Sequence, residues 1–183
     1  MDFFVQCGTL IEYDGEDEYV KIPDTEVGKC ESECGFVKLY DRRLITVIGK
    51  AAFVMNQKIK EVFIPDQVKK IASFAFYYCK NLERITIPGN VEIIEERAFD
   101  NCTSLQEVTL GYGVRSIGKK AFLDCESLKS ITVPESVTEI GEQALGYLYS
   151  WTDPKQDGFV IYGKKDTAAH RYAMDNDIDF IEI

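Results

Sequence analysis

The chain has 183 residues, 45% of them hydrophobic, and a formal net charge of −10. One domain is the expectation at that length, and no apolar run approaches the ~18 residues that a membrane-spanning helix requires. Residues 1–44 carry −6, residues 45–144 only −1 and residues 145–183 −3, so a nucleic-acid backbone, which needs clustered Lys and Arg, is excluded as a partner on charge.

The first residues, Met1-Asp2-Phe3-Phe4-Val5, hold neither a basic segment nor a long apolar stretch, so they are not a signal peptide. Residues 3–13 read as two short strands around Cys7-Gly8, a hairpin closing one end of the chain, and Asp14 to Glu18 form a turn. Residues 1–19 are thus read as an N-terminal cap. A strand and its terminating proline follow at Val20-Lys21-Ile22-Pro23, and Ile45 to Phe53 continue the same unit. The segment 24–44 is read as an insertion into this first coil (20–58), leaving the stack as a loop or small subdomain.

From residue 59 to 150 one 23-residue pattern is written four times without a gap. Its first apolar column is Ile59, Leu82, Leu105 and Leu128, and later columns include Val68, Val91, Val114 and Val137, then Ile71, Ile94, Ile117 and Ile140. The unit closes on Ala75, Ala98, Ala121 and Ala144, then Phe76, Phe99, Phe122 and Leu145, then Cys79, Cys102, Cys125 and Leu148. A fixed period of this length means stacked units, each unable to bury its apolar face alone. Alternating pairs such as Ile85 and Ile87 predict a short strand with one buried face, and the following Pro or Gly stops it. The Ile-x-x-x-Ala-Phe-x-x-Cys stretch has helix-like spacing, enough for a turn or two. Residues 151–183 form the other cap: a strand at Phe159–Gly163, a helix from about Thr167 to Asp175 capped by Asp166, a stop at Asn176 and a last strand at Ile178–Ile183.

The cysteines divide by place. Cys79, Cys102 and Cys125 share a core column and are expected as buried free thiols, which suits a reducing compartment. Cys30-x-x-x-Cys34 loosely matches zinc spacing and Cys7 would make a third ligand, but a structural site wants four; free thiols or a disulfide in an exported form remain open. No metal, cofactor or catalytic residue is therefore assigned. Residues 113–120 and 158–165 imitate a phosphate loop, yet each has Lys where Ser or Thr must bind magnesium. His170 would serve alone and is expected as a solvated surface histidine. The sequon at Asn101-Cys102-Thr103 includes a core cysteine and is discounted.

In each strand the positions between buried residues face outward. Up the stack they are Tyr19 and Lys21, Glu61 and Phe63, Arg84 and Thr86, Glu107 and Thr109, Ser130 and Thr132. Phe63 interrupts a β-branched ladder and is expected beside Lys21 and diagonal to Tyr19. The candidate site is Tyr19, Lys21, Glu61, Phe63 and Arg84, a surface for a protein ligand; the alternative is that segment 24–44 folds down over Phe63.

The units Leu82–Ser104 and Leu105–Ser127, with their Ala-Phe-x-x-Cys ending, resemble the BspA-like leucine-rich repeats. So do the opening Gly8-Thr9-Leu10-Ile11-Glu12-Tyr13-Asp14-Gly15 and the closing Ala168-Ala169-His170-Arg171-Tyr172-Ala173. The resemblance implies an α/β repeat: a short leucine-rich-repeat solenoid, a right-handed β–α superhelix with its sheet on the concave side. It would hold about five coils, a hairpin N-cap and a helix-containing C-cap. It also implies a non-enzymatic protein-binding module, often on or outside a bacterial cell and adhesive. The absent signal peptide points instead to a cytoplasmic scaffold of the same fold, if Met1 is the native start.

Overall fold

The computed structural model describes residues 3–24, 44–149 and 154–183. Fourteen strands and one helix are present there: β1 (Phe3–Gln6), β2 (Thr9–Tyr13), β3 (Tyr19–Lys21), β4 (Val47–Ile48), β5 (Glu61–Phe63), β6 (Lys70–Ile71), β7 (Arg84–Ile87), β8 (Ile93–Ile94), β9 (Glu107–Leu110), β10 (Ser116–Ile117), β11 (Ser130–Val133), β12 (Glu139–Ile140), β13 (Val160–Gly163), α1 (Ala168–Asp175) and β14 (Asp179–Glu182). Each regular coil supplies one strand of three or four residues and one of two. The longer strands form the parallel sheet β3-β5-β7-β9 and the separate parallel sheet β11-β13-β14. The two-residue strands stack in parallel behind β2, and β1 pairs antiparallel with β2 at the end of that seven-stranded sheet.

The repeat columns become the core. Alternation puts Val62, Ile85, Val108 and Ile131 inward, while Val68, Val91, Val114 and Val137 and the Ile71, Ile94 and Ile117 series line the opposite wall. Phe53, Phe76, Phe99 and Phe122 stack face to face, with centroids 4.7, 5.0 and 5.0 Å apart. That spacing is the strand separation of about 4.8 Å imposed by the ladders; each ring, fully buried, contributes about 2–3 kcal/mol. Cys79, Cys102 and Cys125 are buried free thiols, as their column implies, and their Sγ–H groups donate to Phe53, Phe76 and Phe99 carbonyls at 2.9, 3.2 and 3.3 Å.

The stretch expected as a turn or two of helix is a run of reverse turns instead. Two residues per coil adopt left-handed backbone, Phe74 and Tyr78, Arg97 and Asn101, Lys120 and Asp124, with φ from 54° to 66°. A left-handed residue every fourth position breaks any helical ladder. It turns alternate main-chain groups toward the next coil: Phe74, Phe76 and Tyr78 N–H donate to Glu96, Ala98 and Asp100 carbonyls at 3.3, 2.7 and 2.9 Å. The turn side is therefore a second main-chain ladder, and α1 is the only helix among the described residues.

The ends carry the other departures. The N-terminal hairpin turns at Cys7 and Gly8 with φ 51° and 76°, a primed turn that follows the strand twist. In the interrupted coil, Ile45 N–H donates to Asp24 O at 3.1 Å, so the two ends of the insertion meet; the rest of it, with Cys30 and Cys34, lies outside the described residues. Gly146, at φ 71°, shifts the last coil by one residue, so Tyr147 is buried and Leu148 leaves the cysteine column. Thr167, not Asp166, sits at the N-cap of α1, and it makes no side-chain cap bond because its hydroxyl donates to Lys164 O at 2.6 Å. His170 is not fully solvated: its ring lies 4.8 Å from that of Phe180 and its Nδ1 accepts the Asp166 N–H.

One buried charge stands in the turn ladder. Asp100 is fully buried, with Oδ2 accepting from Arg97 (3.0 Å) and Tyr149 (3.1 Å) and Oδ1 unpartnered. Burial pushes its carboxyl up to about 6, Asp124 adding to the rise while Tyr149 and Arg97 oppose it. A folded-state value above the unfolded one means the ionised form is penalised in the fold. Stability at this site is full below the unfolded value and falls as pH rises through about 6. Asp100→Asn is expected to flatten the stability-versus-pH curve between about pH 4 and 6, removing a slope worth up to about 3 kcal/mol, read by urea melts across that range. Ile94→Asp, placing an unpaired charge in a fully buried column, is expected to cost several kcal/mol and unfold the protein; a retained melting temperature in circular dichroism would disprove the column assignment.

Candidate partner-binding surface

Pleating decides which side chains reach solvent. In β3, β5 and β7 the burial pattern is exposed–buried–exposed, so the central Val20, Val62 and Ile85 enter the core and their neighbours stand on the surface. Register then sets two rows across the strands: Tyr19, Glu61 and Arg84 in one, Lys21, Phe63 and Thr86 in the other. Tyr19 and Phe63 are 64% and 57% exposed, far more than aromatic rings in a core. Lys21 Nζ lies 5.6 Å from the Phe63 ring centroid, within cation–π range. Arg84 and Glu61 form a loose ion pair at 3.5 Å with both side chains half exposed, a contact worth under about 1 kcal/mol. At the edge of this patch Lys60 donates to Glu18 at 2.8 Å, and that bond raises the ammonium's pKa.

All five sequence-derived residues thus share one outward face of neighbouring strands. The surface presents two wide aromatic faces, the Lys21 ammonium over the Phe63 ring, and a half-exposed ion pair. Two shallow depressions lie elsewhere. One of about 390 Å³ runs between β12 and α1, lined by Glu139, Glu142, Arg171 and Asp175, and Glu142 is held low by its bond to Lys119. His170 lines neither this one nor the second, of about 340 Å³ between β9 and β11. The phosphate-loop imitations are spent on the fold: Val114 and Ile117 are core residues leading into β10, and Phe159 and Ile161 are core residues around β13. Asn101 is buried and donates to Asp124 at 2.9 Å. Among the described residues no group of three or more His, Cys, Asp or Glu is placed to hold a metal ion, and no helix is long and apolar enough to cross a membrane.

Two features escaped the sequence reading. The Asp100 cluster had a visible trace, since the same position is Tyr77 and Leu123 in the flanking coils. The opening between β9 and β11 had only a weak one, Gly111 standing where the other coils have Pro65, Pro88 and Pro134.

The fold has clear relatives among solved structures. A leucine-rich repeat protein of T. pallidum is 23% identical, with a TM-score of 0.68 over 84% of this chain and 62% of that one. A leucine-rich repeat protein from Bacteroides ovatus is 29% identical, with a TM-score of 0.63 over 85% of this chain and 42% of that one. A leucine-rich cell surface protein from Faecalibacterium prausnitzii is 22% identical, with a TM-score of 0.51 over 85% and 50%. The chain spans only two-fifths to three-fifths of the length of these proteins. No curated protein matches it. The model of the BspA-type leucine-rich repeat region matches residues 29–151 in six copies. Such repeats serve in general as non-enzymatic interaction modules, and with two-thirds of its length matched this chain belongs to the BspA-type leucine-rich repeat family.

Proposed function

We propose that the chain is a non-catalytic protein-binding module that grips a protein ligand through Tyr19, Lys21, Glu61, Phe63 and Arg84. The observation that carries this is the pair of exposed rings, Tyr19 and Phe63, on hydrogen-bonded strands with the Lys21 ammonium over one of them. A lone exposed aromatic residue is ordinary on a surface; two on adjacent rigid strands, with charges at their rim, match the make-up of binding hot spots. The nearly neutral repeat body and the absence of a basic stripe turn the reading from nucleic acid to protein.

Adhesion to a neighbouring cell or host protein is the use we favour, supported by the family and by a structural relative described as a cell surface protein. The second reading, a cytoplasmic scaffold, is favoured by the three unpaired core thiols, which suit a reducing compartment. Capture experiments with the intact chain, run against an extracellular-matrix preparation and against a bacterial lysate, separate the two. The captured ligand is expected to bind Phe63→Ala at least about thirtyfold more weakly, the loss of one hot-spot residue of about 2 kcal/mol. The melting temperature should be unchanged, because Phe63 stands outside the core cluster of the described residues. Unaltered affinity in a folded Phe63→Ala protein rejects the surface, and a ligand found only in lysate rejects adhesion.

A further inference from the structure

The four-stranded sheet ends on β3, and one edge of that strand has no partner among the described residues. Glu61 N–H donates to Glu18 O at 3.1 Å and Ile22 N–H to Phe63 O at 3.2 Å, so the main-chain groups of Glu18 and Ile22 face β5. By alternation the N–H and C=O of Tyr19 and Lys21 point the other way, off the sheet. No described strand takes them up. The chain enters the stack through β1 and β2, which both belong to the seven-stranded sheet of short strands. Residues 14–18 then lead directly into β3. The coil before β3 thus has a short strand but no long one.

Three observations define what this edge takes. The first is continuity with the candidate surface. Tyr19 and Lys21, whose main chain faces the open side, also head the two outward rows, Tyr19 with Glu61 and Arg84, Lys21 with Phe63 and Thr86. A strand added here lengthens both rows by one residue without parting any two strands. The second is the column between those rows. Val20, Val62 and Ile85 are all buried, and an added residue opposite Val20 continues that column, so it must be apolar. The third is charge. Asp14, Glu16, Asp17 and Glu18 precede β3, and Lys58 and Lys60 offset only two of them, at 3.1 and 2.8 Å. Lysine commonly guards an edge strand, but Lys21 lies over the Phe63 ring of β5. Residues 1–44 carry −6 and residues 145–183 −3, so a second copy stacked end to end brings acid to acid, whereas a segment with a cation matches this edge.

We propose that an extended segment of the protein ligand adds as a strand to the open edge of β3, with an apolar residue opposite Val20 and a Lys or Arg beside the acidic turn at 14–18. Main-chain bonds to Tyr19 and Lys21 supply the affinity, and the apolar residue and the cation supply the selection, as in other strand-addition complexes. The proposal rests on the reading of the Tyr19 and Phe63 face as the ligand site and adds how the ligand meets it.

Amide hydrogen exchange reads the edge directly. Tyr19 and Glu61 hold the same repeat position, and the Glu61 amide is bonded to the coil before. In dilute free protein the Tyr19 and Lys21 amides are expected to exchange at least about tenfold faster than that of Glu61. Equal protection means that the edge is already paired and overturns the proposal. Protection that grows with protein concentration alone assigns the edge to a second copy and overturns it too. Short peptides selected on the intact chain from a displayed library are expected to carry an apolar residue flanked by Lys or Arg and to slow Tyr19 and Lys21 exchange about tenfold or more. They should bind Lys21→Pro at least about tenfold more weakly than Lys21→Ala, because only proline removes the N–H. Failure to enrich such a peptide overturns strand addition whether or not the proline variant folds. Peptides that are weakened by Phe63→Ala but leave both amides unaltered reject strand addition and keep the surface. Peptides that slow both amides yet bind Phe63→Ala unchanged support strand addition and reject the side-chain surface.

Discussion

A coil of twenty-three residues cannot satisfy its own main chain, and the structure depends on that fact. Every N–H and C=O it leaves unpaired must be met by the coil above or below, and the ladder that does so fixes the rise at about 4.8 Å. The other regularities follow from this spacing. Phenylalanine rings stack in parallel because the rise sets their separation. The same column can hold one thiol per coil, each donating to a carbonyl in the neighbouring coil. Gly113 is required because a Cβ there would collide with the Gly89 carbonyl of the coil before. Position in the repeat, more than any side-chain contact, decides what each residue does.

The two sides of the stack use that constraint differently. On the turn side, left-handed residues at two positions per coil deliver alternate amides across every junction from Phe74 to Asp124. On the strand side the ladder is more regular in shape but tolerates a gap, because the coils stay tied elsewhere. The exposed aromatic and charged rows of β3, β5 and β7 stand at one end of the strand side, and the unpaired junction between β9 and β11 lies nearer the other. A rigid scaffold presenting adaptable positions at fixed intervals is the general logic of repeat proteins.

Much of this was readable before any coordinates. Period and alternation located each core column, the outward rows and the hairpin cap, because side-chain direction in a strand depends only on parity. The reading failed where backbone conformation and side-chain placement diverge. Helix-like spacing at Ile71, Ala75, Phe76 and Cys79 puts the same residues inward in a chain of reverse turns, since both geometries bring positions four apart to one side. The deciding residues, Phe74 and Tyr78, are large non-glycine residues with no intrinsic preference for positive φ; inter-coil hydrogen bonds hold them there. Asp166 looked like a cap by type, but Thr167 occupied the position and spent its hydroxyl backward. The strand gap left only the weak trace of Gly111, because what is missing is a main-chain ladder between strands whose residues, Val108 and Ile131 among them, obey the pattern.

The cysteine column has a consequence for how the molecule reports on itself. Burial raises the Cys79 thiol to about 12 and lifts Cys102 and Cys125 well above their usual value. Thiolate, the reactive form, is therefore scarce for as long as the coils are stacked. Modification by an alkylating reagent then becomes a clock for separation of neighbouring coils. Because the three sulfurs sit one per coil along the axis, the order in which they react records where along the stack it first comes apart.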